Sequence, residues 1–182
     1  MAWPKIVRRF QSVPNNADEN DFYGPYNKLL NYLFPVLSDF TVVPQYQQPG
    51  SLRAPDWFVE FEVFFNNYPV FILELKKPTD IRYVSKRDEA DEQIRRRLAD
   101  LRRDCPIPKL HAVSAMGPRL CFYHVDTTNP RALIVPHVKP RDPDFVNDAA
   151  PEEWWNCDVL NNEGEERFRA VADEIKQACA GL

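Results

Sequence analysis

The sequence predicts a single α/β (α+β) domain in which a β-sheet is flanked by helices. Its 182 residues suit one hydrophobic core rather than two. Its composition, with 44% hydrophobic and 27% charged residues, is that of a globular domain and excludes a disordered chain or a coiled coil. Hydrophobic spacing alternates between helical and strand periods along the chain. We therefore expect residues 1–182 to form one domain with the element order αβββαββ, followed by a C-terminal helix.

The first helix and the first strand are predicted from a change of period near residue 39. A Gly-Pro pair at residues 24–25 is typical of a helix entry, and apolar residues then recur at helical spacing as far as Leu37. Residues 40–46 have the composition of a strand. Pro44 interrupts this strand, which favours a sheet edge or a bulge.

The central strands are predicted as a β-hairpin. Residues 56–65 and 70–76 are both rich in aromatic and β-branched side chains, and the short polar segment 66–69 separates them. Two such runs joined by a few turn-forming residues are typical of a hairpin. We expect this pair to be antiparallel.

The second half of the chain predicts one further helix and two or three strands. Apolar residues recur at helical spacing from Ala90 to Cys105, with acidic residues early and basic residues late, as the helix dipole favours. Strands are expected at residues 110–115 and 120–125, joined by the Gly-Pro pair at residues 117–118. Residues 132–135 are an option for a third strand.

Proline is unusually frequent, with 17 residues, and several lie in the segment 127–160. We expect this segment to wrap over the body without a regular element from residue 136 to 156. Trp154 and Trp155 are expected to pin it to the body, and a stacking platform for bases is the alternative. A C-terminal helix is predicted at residues 163–180.

The charge of the chain is unevenly distributed. The net charge is −4, which taken alone argues against a nucleic-acid-binding protein. However, residues 142–182 contain eleven acidic and three basic residues, so residues 1–141 carry a net charge of +4. Residues 76–103 contain ten of the 23 basic residues, together with six acidic ones. This basic run is either a solvated, salt-bridged helix face or a surface for phosphates.

Several classes of protein are excluded by what the sequence lacks. Its longest apolar runs are about four residues long, whereas a membrane span needs about twenty. The N-terminal residues do not contain the apolar stretch of a secretory signal. We expect an intracellular protein, in the cytoplasm or nucleus, without membrane association.

The cysteine, histidine and glycine residues also narrow the chemistry. The four cysteines lie far apart without a C-x-x-C pair, which argues against zinc and a disulfide scaffold and predicts reduced, packed thiols. The three histidines have no serine or cysteine partner at a recognisable spacing and are expected to be structural. With only five glycines and no phosphate-binding loop motif, nucleotide-driven functions are excluded.

One group of residues could carry chemistry at the end of the second hairpin strand. Because side chains alternate along a strand, Glu74 and Lys76 should share a face. Charged groups below aliphatic residues are costly unless they are paired or bind something. They could form a simple ion pair. If the strands are adjacent, Asp56, Glu74 and the backbone carbonyl of Leu75 could instead form an oxygen site suited to Mg²⁺.

The pattern of Pro55-Asp56, a β-hairpin, and Glu74-Leu75-Lys76, with a helix on each side, resembles the PD-(D/E)xK nuclease superfamily. The resemblance covers a core of about residues 21–126. It implies the restriction-endonuclease-like fold, with a central mixed β-sheet flanked by helices.

The resemblance also implies a function and a set of site residues. Asp56 and Glu74 would bind Mg²⁺ (or Mn²⁺), and Lys76 would assist the attacking water. Gln93 matches a glutamine that several members carry on the following helix, whereas Arg97 stands where some branches have a tyrosine. The implied partner is nucleic acid, DNA more than RNA, and a homodimer is one option, because nucleases of this fold often work as dimers. Phosphate contacts are expected from Lys77, Arg95, Arg96, Arg102 and Arg103.

Other acidic residues near this pattern have two interpretations. Some members of the superfamily use an acid from the first helix, for which Glu19 and Asp21 are the nearest options, but both could simply cap the helix. Glu60 and Glu62 share the strand face of Asp56. We expect them to be solvated on a half-exposed strand, although Glu60 could also reach the metal.

Two alternatives to a nuclease are open. The chain could be a catalytically inactive, nuclease-like module that binds nucleic acid or protein, in which Glu74 and Lys76 form a structural pair. It could also be an unrelated α+β protein in which the motif occurs by coincidence. Binding of Mg²⁺ separates the enzyme from an inert module, because a ligand bound only by the native state raises the melting temperature.

Overall fold

The computed structural model describes residues 6–47, 58–140 and 148–182. These residues form helices on both sides of a sheet, together with short 3₁₀ turns at Glu19–Phe22, Pro78–Arg82 and Glu152–Trp155. The helices are α1 (Val7–Gln11), α2 (Tyr23–Leu33), α3 (Val84–Leu101) and α4 (Asn162–Cys179). The strands are β1 (Phe40–Gln47), β2 (Phe58–Phe65), β3 (Tyr68–Lys76), β4 (Lys109–Met116), β5 (Arg119–Asp126) and β6 (Cys157–Asp158).

The sheet has six strands in the order β1-β2-β3-β4-β5-β6. Among the strand pairs of the described residues, only β3–β4 is parallel, and α3 is the crossover between these two strands. The other neighbouring pairs are antiparallel. The prediction of a mixed sheet flanked by helices is therefore confirmed.

The predicted hairpin is confirmed as the pair β2–β3. Asn66 and Asn67 form its turn and both have positive φ angles, 48° and 75°. Asparagine tolerates this left-handed region better than most residues, which favours a tight two-residue turn. A register shift between Val63 and Phe64 marks a bulge near the turn. The register beyond it sets which side chains of β2 face those of β3.

The two faces of the sheet pack against different helices. On one face, Phe71 of β3 contacts Phe168 of α4 at a ring-centroid distance of 5.8 Å, and Phe34 at the end of α2 at 6.1 Å. On the other face, the hydroxyl of Tyr123 of β5 donates a hydrogen bond of 3.0 Å to Asp91 of α3. The even-numbered residues of β3 therefore lie beneath α3.

Several element boundaries differ from the expectation. The helix predicted first along the chain is α2, which ends at Leu33 rather than near Leu37. Phe34 precedes Pro35, and a proline disfavours the helical conformation of the residue before it. The short helix α1 was not predicted. Leu37 is 97% exposed. Residues 132–135 do not form a strand, and only Val135 makes an isolated bridge to His124.

The proline-rich segment contains more regular structure than expected. The turn Glu152–Trp155 and the short strand β6 both occur within or beside residues 136–156, where no element was predicted. Trp155 is fully buried, which confirms the pinning role predicted for it. The four cysteines are free and buried, as expected. Across the described ranges, no helix combines the length and apolar character that a membrane span requires.

Candidate active site

The predicted pair of Glu74 and Lys76 lies at the end of β3 on the face covered by α3. Their side chains are only 2% and 10% exposed, and Glu74 Oε1 lies 3.2 Å from Lys76 Nζ. The shared orientation predicted from strand alternation is therefore confirmed. The strand ends here because Lys77 precedes Pro78, which cannot donate to the ladder.

Gln93 on α3 contacts the Glu74–Lys76 pair through Lys76. The Nζ of Lys76 donates a hydrogen bond to Oε1 of Gln93 on α3. The same helix face carries Glu89, Gln93 and Arg97, each four residues from the next, so the three side chains lie in a row over the sheet. The sequence-based candidates Glu74, Lys76 and Gln93 are thus brought together.

Glu74 is a buried carboxylate with too few partners. Burial raises its pKa to about 7, the ammonium of Lys76 acts in the opposite direction, and the charges of Glu89 and Glu19 raise it further. Oε2 is buried and meets no hydrogen-bond donor within the described part of the chain. An ionised carboxylate in this position requires a cation to offset the cost of removing it from water.

Glu60 lies directly opposite Glu74 in the β2–β3 register. Glu60 and Glu62 are 3% and 1% exposed, so the expectation that they are solvated on a half-exposed strand is wrong. The cause is α3, which covers this face of the sheet. Burial raises the pKa of Glu60 to about 8, the guanidinium of Arg97 opposes this, and the charge of Glu74 adds to it.

Arg97 joins the two buried glutamates of β2. Its Nε lies 3.0 Å from Oε1 of Glu60, and its Nη2 donates to Oε1 of Glu62. The other oxygen of Glu62 is 3.4 Å from Nε2 of Gln45 on β1. Sequence reasoning missed this cluster. The signal that could have found it is a basic residue four positions after Gln93, on the inward face of a helix, opposite two acids on one strand face.

The two acids before α2 have different roles. Asp21 accepts a hydrogen bond of 2.8 Å from the backbone N–H of Asp18 as part of a capping box, which confirms the capping interpretation for this residue. Glu19 is half-buried at the start of the same turn. Burial raises its pKa, while the charges of Lys76 and Lys77 oppose that shift. Glu19 is thus an additional acid near the Glu74–Lys76 pair.

The remaining donors proposed for a metal are Asp56 and the carbonyl of Leu75. Asp56 lies outside the described residues. Leu75 is a central-strand residue with Cα partners Val59 on β2 and Ala115 on β4. Within residues 6–47, 58–140 and 148–182, no group of three or more His, Cys, Asp or Glu side chains is arranged to hold a metal ion. A metal ion at Glu74 would therefore need further donors from outside these ranges, from the backbone or from water.

The five basic residues proposed for phosphates divide into two groups. Arg95 donates to the backbone carbonyls of Ile134 and Pro136, and also pairs with Asp91. Arg102 donates to the carbonyls of Ala132, Asp126 and Asn129. Both arginines thereby hold the proline-rich segment against α3.

The other three basic residues are more accessible. The side chain of Lys77 is 48% exposed and lies 3.1 Å from Asp18. Arg96 is exposed on α3, and Arg103 is exposed in the turn that follows this helix. These three residues are available for contacts with a phosphate backbone.

His111 on β4 and His124 on β5 lie on the opposite face of the sheet, beside α4. His111 and His124 line a cavity of about 440 Å³ together with Glu174. His111 is buried, and its Nε2 lies 3.2 Å from Glu174 Oε2. Of the sequence-predicted site residues that the structure describes, none lines this cavity.

Comparison of this chain with protein-family models, with curated proteins and with solved structures found no match.

Proposed function

We propose that this protein is a metal-dependent nuclease of the PD-(D/E)xK type that hydrolyses phosphodiester bonds of DNA, with RNA as the alternative substrate. Its sheet supports the restriction-endonuclease-like fold, because β1, β2 and β3 are antiparallel neighbours and a helical crossover leads to the parallel strand β4. The motif residues Glu74 and Lys76 lie at the end of the strand that precedes this crossover.

The unpartnered oxygen of Glu74 is the observation that carries this proposal. The buried Glu74 lies near three other acids, Glu19, Glu60 and Glu89. The charges of Glu19 and Glu89 raise the pKa of Glu74, and the charge of Glu74 raises the pKa of Glu60. Carboxylate oxygens are the ligands that Mg²⁺ and Mn²⁺ prefer. The chemistry of this donor set therefore fits a hard divalent cation, which would be held by Glu74 and, from outside the described ranges, by Asp56.

Each residue near Glu74 has a role in the proposed hydrolysis. The bound cation would act as a Lewis acid on the phosphoryl group and lower the pKa of a water. Lys76 would orient that water by donating a hydrogen bond to its oxygen, because its ammonium lies 3.2 Å from the Glu74 carboxylate. Gln93 holds the Nζ of Lys76. The exposed residues Lys77, Arg96 and Arg103 contact backbone phosphates.

Adjacent lysines provide a sharp test of the proposal. Lys76 is buried and Lys77 is half-exposed, so Lys76→Met and Lys77→Met remove the same charge from inside and outside the site. With single- and double-stranded DNA and RNA in Mg²⁺ or Mn²⁺, Lys76→Met should lower kcat by about a hundredfold or more. Lys77→Met should raise KM and leave kcat nearly unchanged.

Cleavage by a folded Lys76→Met variant at the wild-type rate would remove Lys76 from the mechanism. Equal circular dichroism spectra and melting temperatures of the two variants would establish that the comparison reports chemistry rather than folding.

A second function is favoured by one observation. Lys76 contacts Glu74 and Gln93, and Arg97 pairs with Glu60. The positive charges of Lys76 and Arg97 therefore already offset part of the negative charge of the buried carboxylates. A nuclease-like module that binds nucleic acid or protein without cleaving would use the same contacts to stabilise its fold. Such a module should bind nucleic acid with equal affinity in the presence and absence of Mg²⁺, without cutting it.

A further inference from the structure

Arg97 is the only described basic side chain that is hydrogen-bonded to both Glu60 and Glu62. Its side chain is 22% exposed, whereas those of Glu60 and Glu62 are 4% and 2% exposed. The guanidinium therefore covers two carboxylates that solvent barely reaches. Because it is permanently charged, arginine is well suited to this position.

The Arg97 pair adjoins the proposed cation site through the strand register. Glu60 faces Glu74 across the antiparallel β2–β3 pair, and the side chains of directly opposed residues are about 5 Å apart at Cβ. A cation held by Glu74 would consequently be within reach of the Glu60 carboxylate. Arg97 contacts that carboxylate from the helix above it.

We propose that Arg97 is an internal counter-ion that competes with the divalent cation for Glu60 and so sets the concentration at which the site fills. This inference rests on the proposed function. Without a cation, the guanidinium offsets the charge of Glu60 and Glu62. When the cation binds, Glu60 turns towards it, and Arg97 keeps its second contact with Glu62.

The geometry provides for such an exchange. Arg97 uses different nitrogens for the two glutamates, Nε for Glu60 and Nη2 for Glu62, so it can lose one contact and retain the other. Glu62 is also held by Gln45. Glu62 therefore anchors Arg97, whereas Glu60 is the carboxylate shared with the neighbouring site. A positive charge fixed beside a cation site also weakens cation binding through space.

The test measures cation binding directly, without an activity assay. Mg²⁺ and Mn²⁺ are titrated into wild type and Arg97→Gln, and the dissociation constant is obtained by calorimetry and from the rise in melting temperature. Arg97→Gln should bind either cation at least about threefold more tightly, because both the competitor and its charge are removed. Arg97→Lys, which keeps the charge, should bind much closer to wild type.

Two further variants exclude trivial explanations. Arg131→Gln makes the same change of net charge at an exposed position and should leave the dissociation constant unchanged. If Arg97→Gln does not fold because two buried carboxylates are left without a counter-charge, Glu62→Gln/Arg97→Gln restores the charge balance and should still bind the cation more tightly than wild type.

The outcomes separate this inference from the function on which it rests. Tighter binding by the Arg97→Gln forms, but not by Arg131→Gln, supports the competition. Equal or weaker binding by these forms, with clear binding by wild type, overturns the competition and leaves the proposed cation site intact. No cation-induced change in wild type overturns the cation site and the competition together.

Discussion

Glu60 on β2 and Glu74 on β3 are directly opposed across the sheet, and both carboxylates are almost fully buried. Burial of two acids side by side opposes folding, because ionised carboxylates lose water and repel each other. The surrounding cations, Lys76 and Arg97, offset only part of this cost. Such an arrangement is typical of a site where stability is sacrificed for function.

The first prediction concerns the stability cost of Glu74. Burial raises its pKa from an ordinary value near 4.5 to about 7, so the native state holds this proton more tightly than the unfolded state. The stabilising contribution is complete below about pH 4.5 and is lost as the pH rises through about 7. Glu74→Gln should therefore raise the free energy of unfolding at about pH 8 by up to about 3 kcal/mol.

Urea unfolding of wild type and Glu74→Gln from about pH 5 to 9 measures this effect. The increase in the free energy of unfolding caused by Glu74→Gln should become smaller as the pH falls towards 5. A difference between the two proteins that stays constant across this range would show that the carboxyl group does not titrate in the native state as expected.

The second prediction concerns the basic residues at the end of α3. Arg102→Ala should destabilise the protein by about 1–3 kcal/mol, because it removes donors from the carbonyls of Ala132, Asp126 and Asn129. Arg103→Ala, at an exposed position, should leave the free energy of unfolding unchanged. It should reduce the slope of the logarithm of the nucleic-acid binding constant against the logarithm of the salt concentration by about one. Thermal unfolding measures the first effect, and binding titrations at several salt concentrations measure the second. The same loss of stability in both variants would contradict a structural role for Arg102 that Arg103 lacks.

The third prediction concerns the histidine on the opposite face of the sheet. Burial lowers the pKa of His111 from 6.5 to about 4, and the carboxylate of Glu174 only partly offsets this. The unfolded state then binds this proton more tightly, so the stabilising contribution is present above about pH 6.5 and is lost as the pH falls towards 4. His111→Gln should remove this acid sensitivity, which unfolding experiments at about pH 7 and pH 5 would detect. An NMR titration of wild type in which His111 titrates at an ordinary pKa would contradict the prediction.

The fourth prediction concerns the packing of α4 on β6. A Cβ atom at Gly164 would lie 2.0 Å from the backbone oxygen of Asp158, whereas at Gly181 it would meet nothing closer than 3.8 Å. Gly164→Ala should lower the free energy of unfolding by about 2 kcal/mol or more. Gly181→Ala should have little effect, and chemical denaturation compares the two. Equal stability of both variants would mean that α4 can shift away from β6 at no cost.

The sequence predicted the order and type of most elements because their hydrophobic periods are strong. The β2–β3 hairpin followed from two aromatic and β-branched runs that a short polar segment separates. The shared face of Glu74 and Lys76 followed from strand alternation. The short strand β6 was missed because two residues carry no period. The end of α2 was placed too far along, since Leu37 continues the helical spacing although Pro35 terminates the helix.

The surroundings of the site depend on tertiary contacts that a strand pattern does not contain. The alternation of Glu60 and Glu62 with apolar residues is typical of a half-exposed strand, but α3 covers the face on which they lie. Likewise, Arg95 and Arg102 resemble a phosphate-binding surface in sequence, whereas in three dimensions they hold the proline-rich segment. The identity of the partner of a charged residue is a property of the fold.

The decisive measurement for a cation site at Glu74 is the melting temperature of wild type and Glu74→Gln as Mg²⁺ or Mn²⁺ is added. A cation bound only by the native state stabilises it by about 2.7 kcal/mol at one hundred times its dissociation constant. Wild type and the control Glu174→Gln, altered at the opposite face of the sheet, should both show a saturable rise that Glu74→Gln lacks. An equal rise in all three proteins, or none in wild type, would contradict a cation site at Glu74.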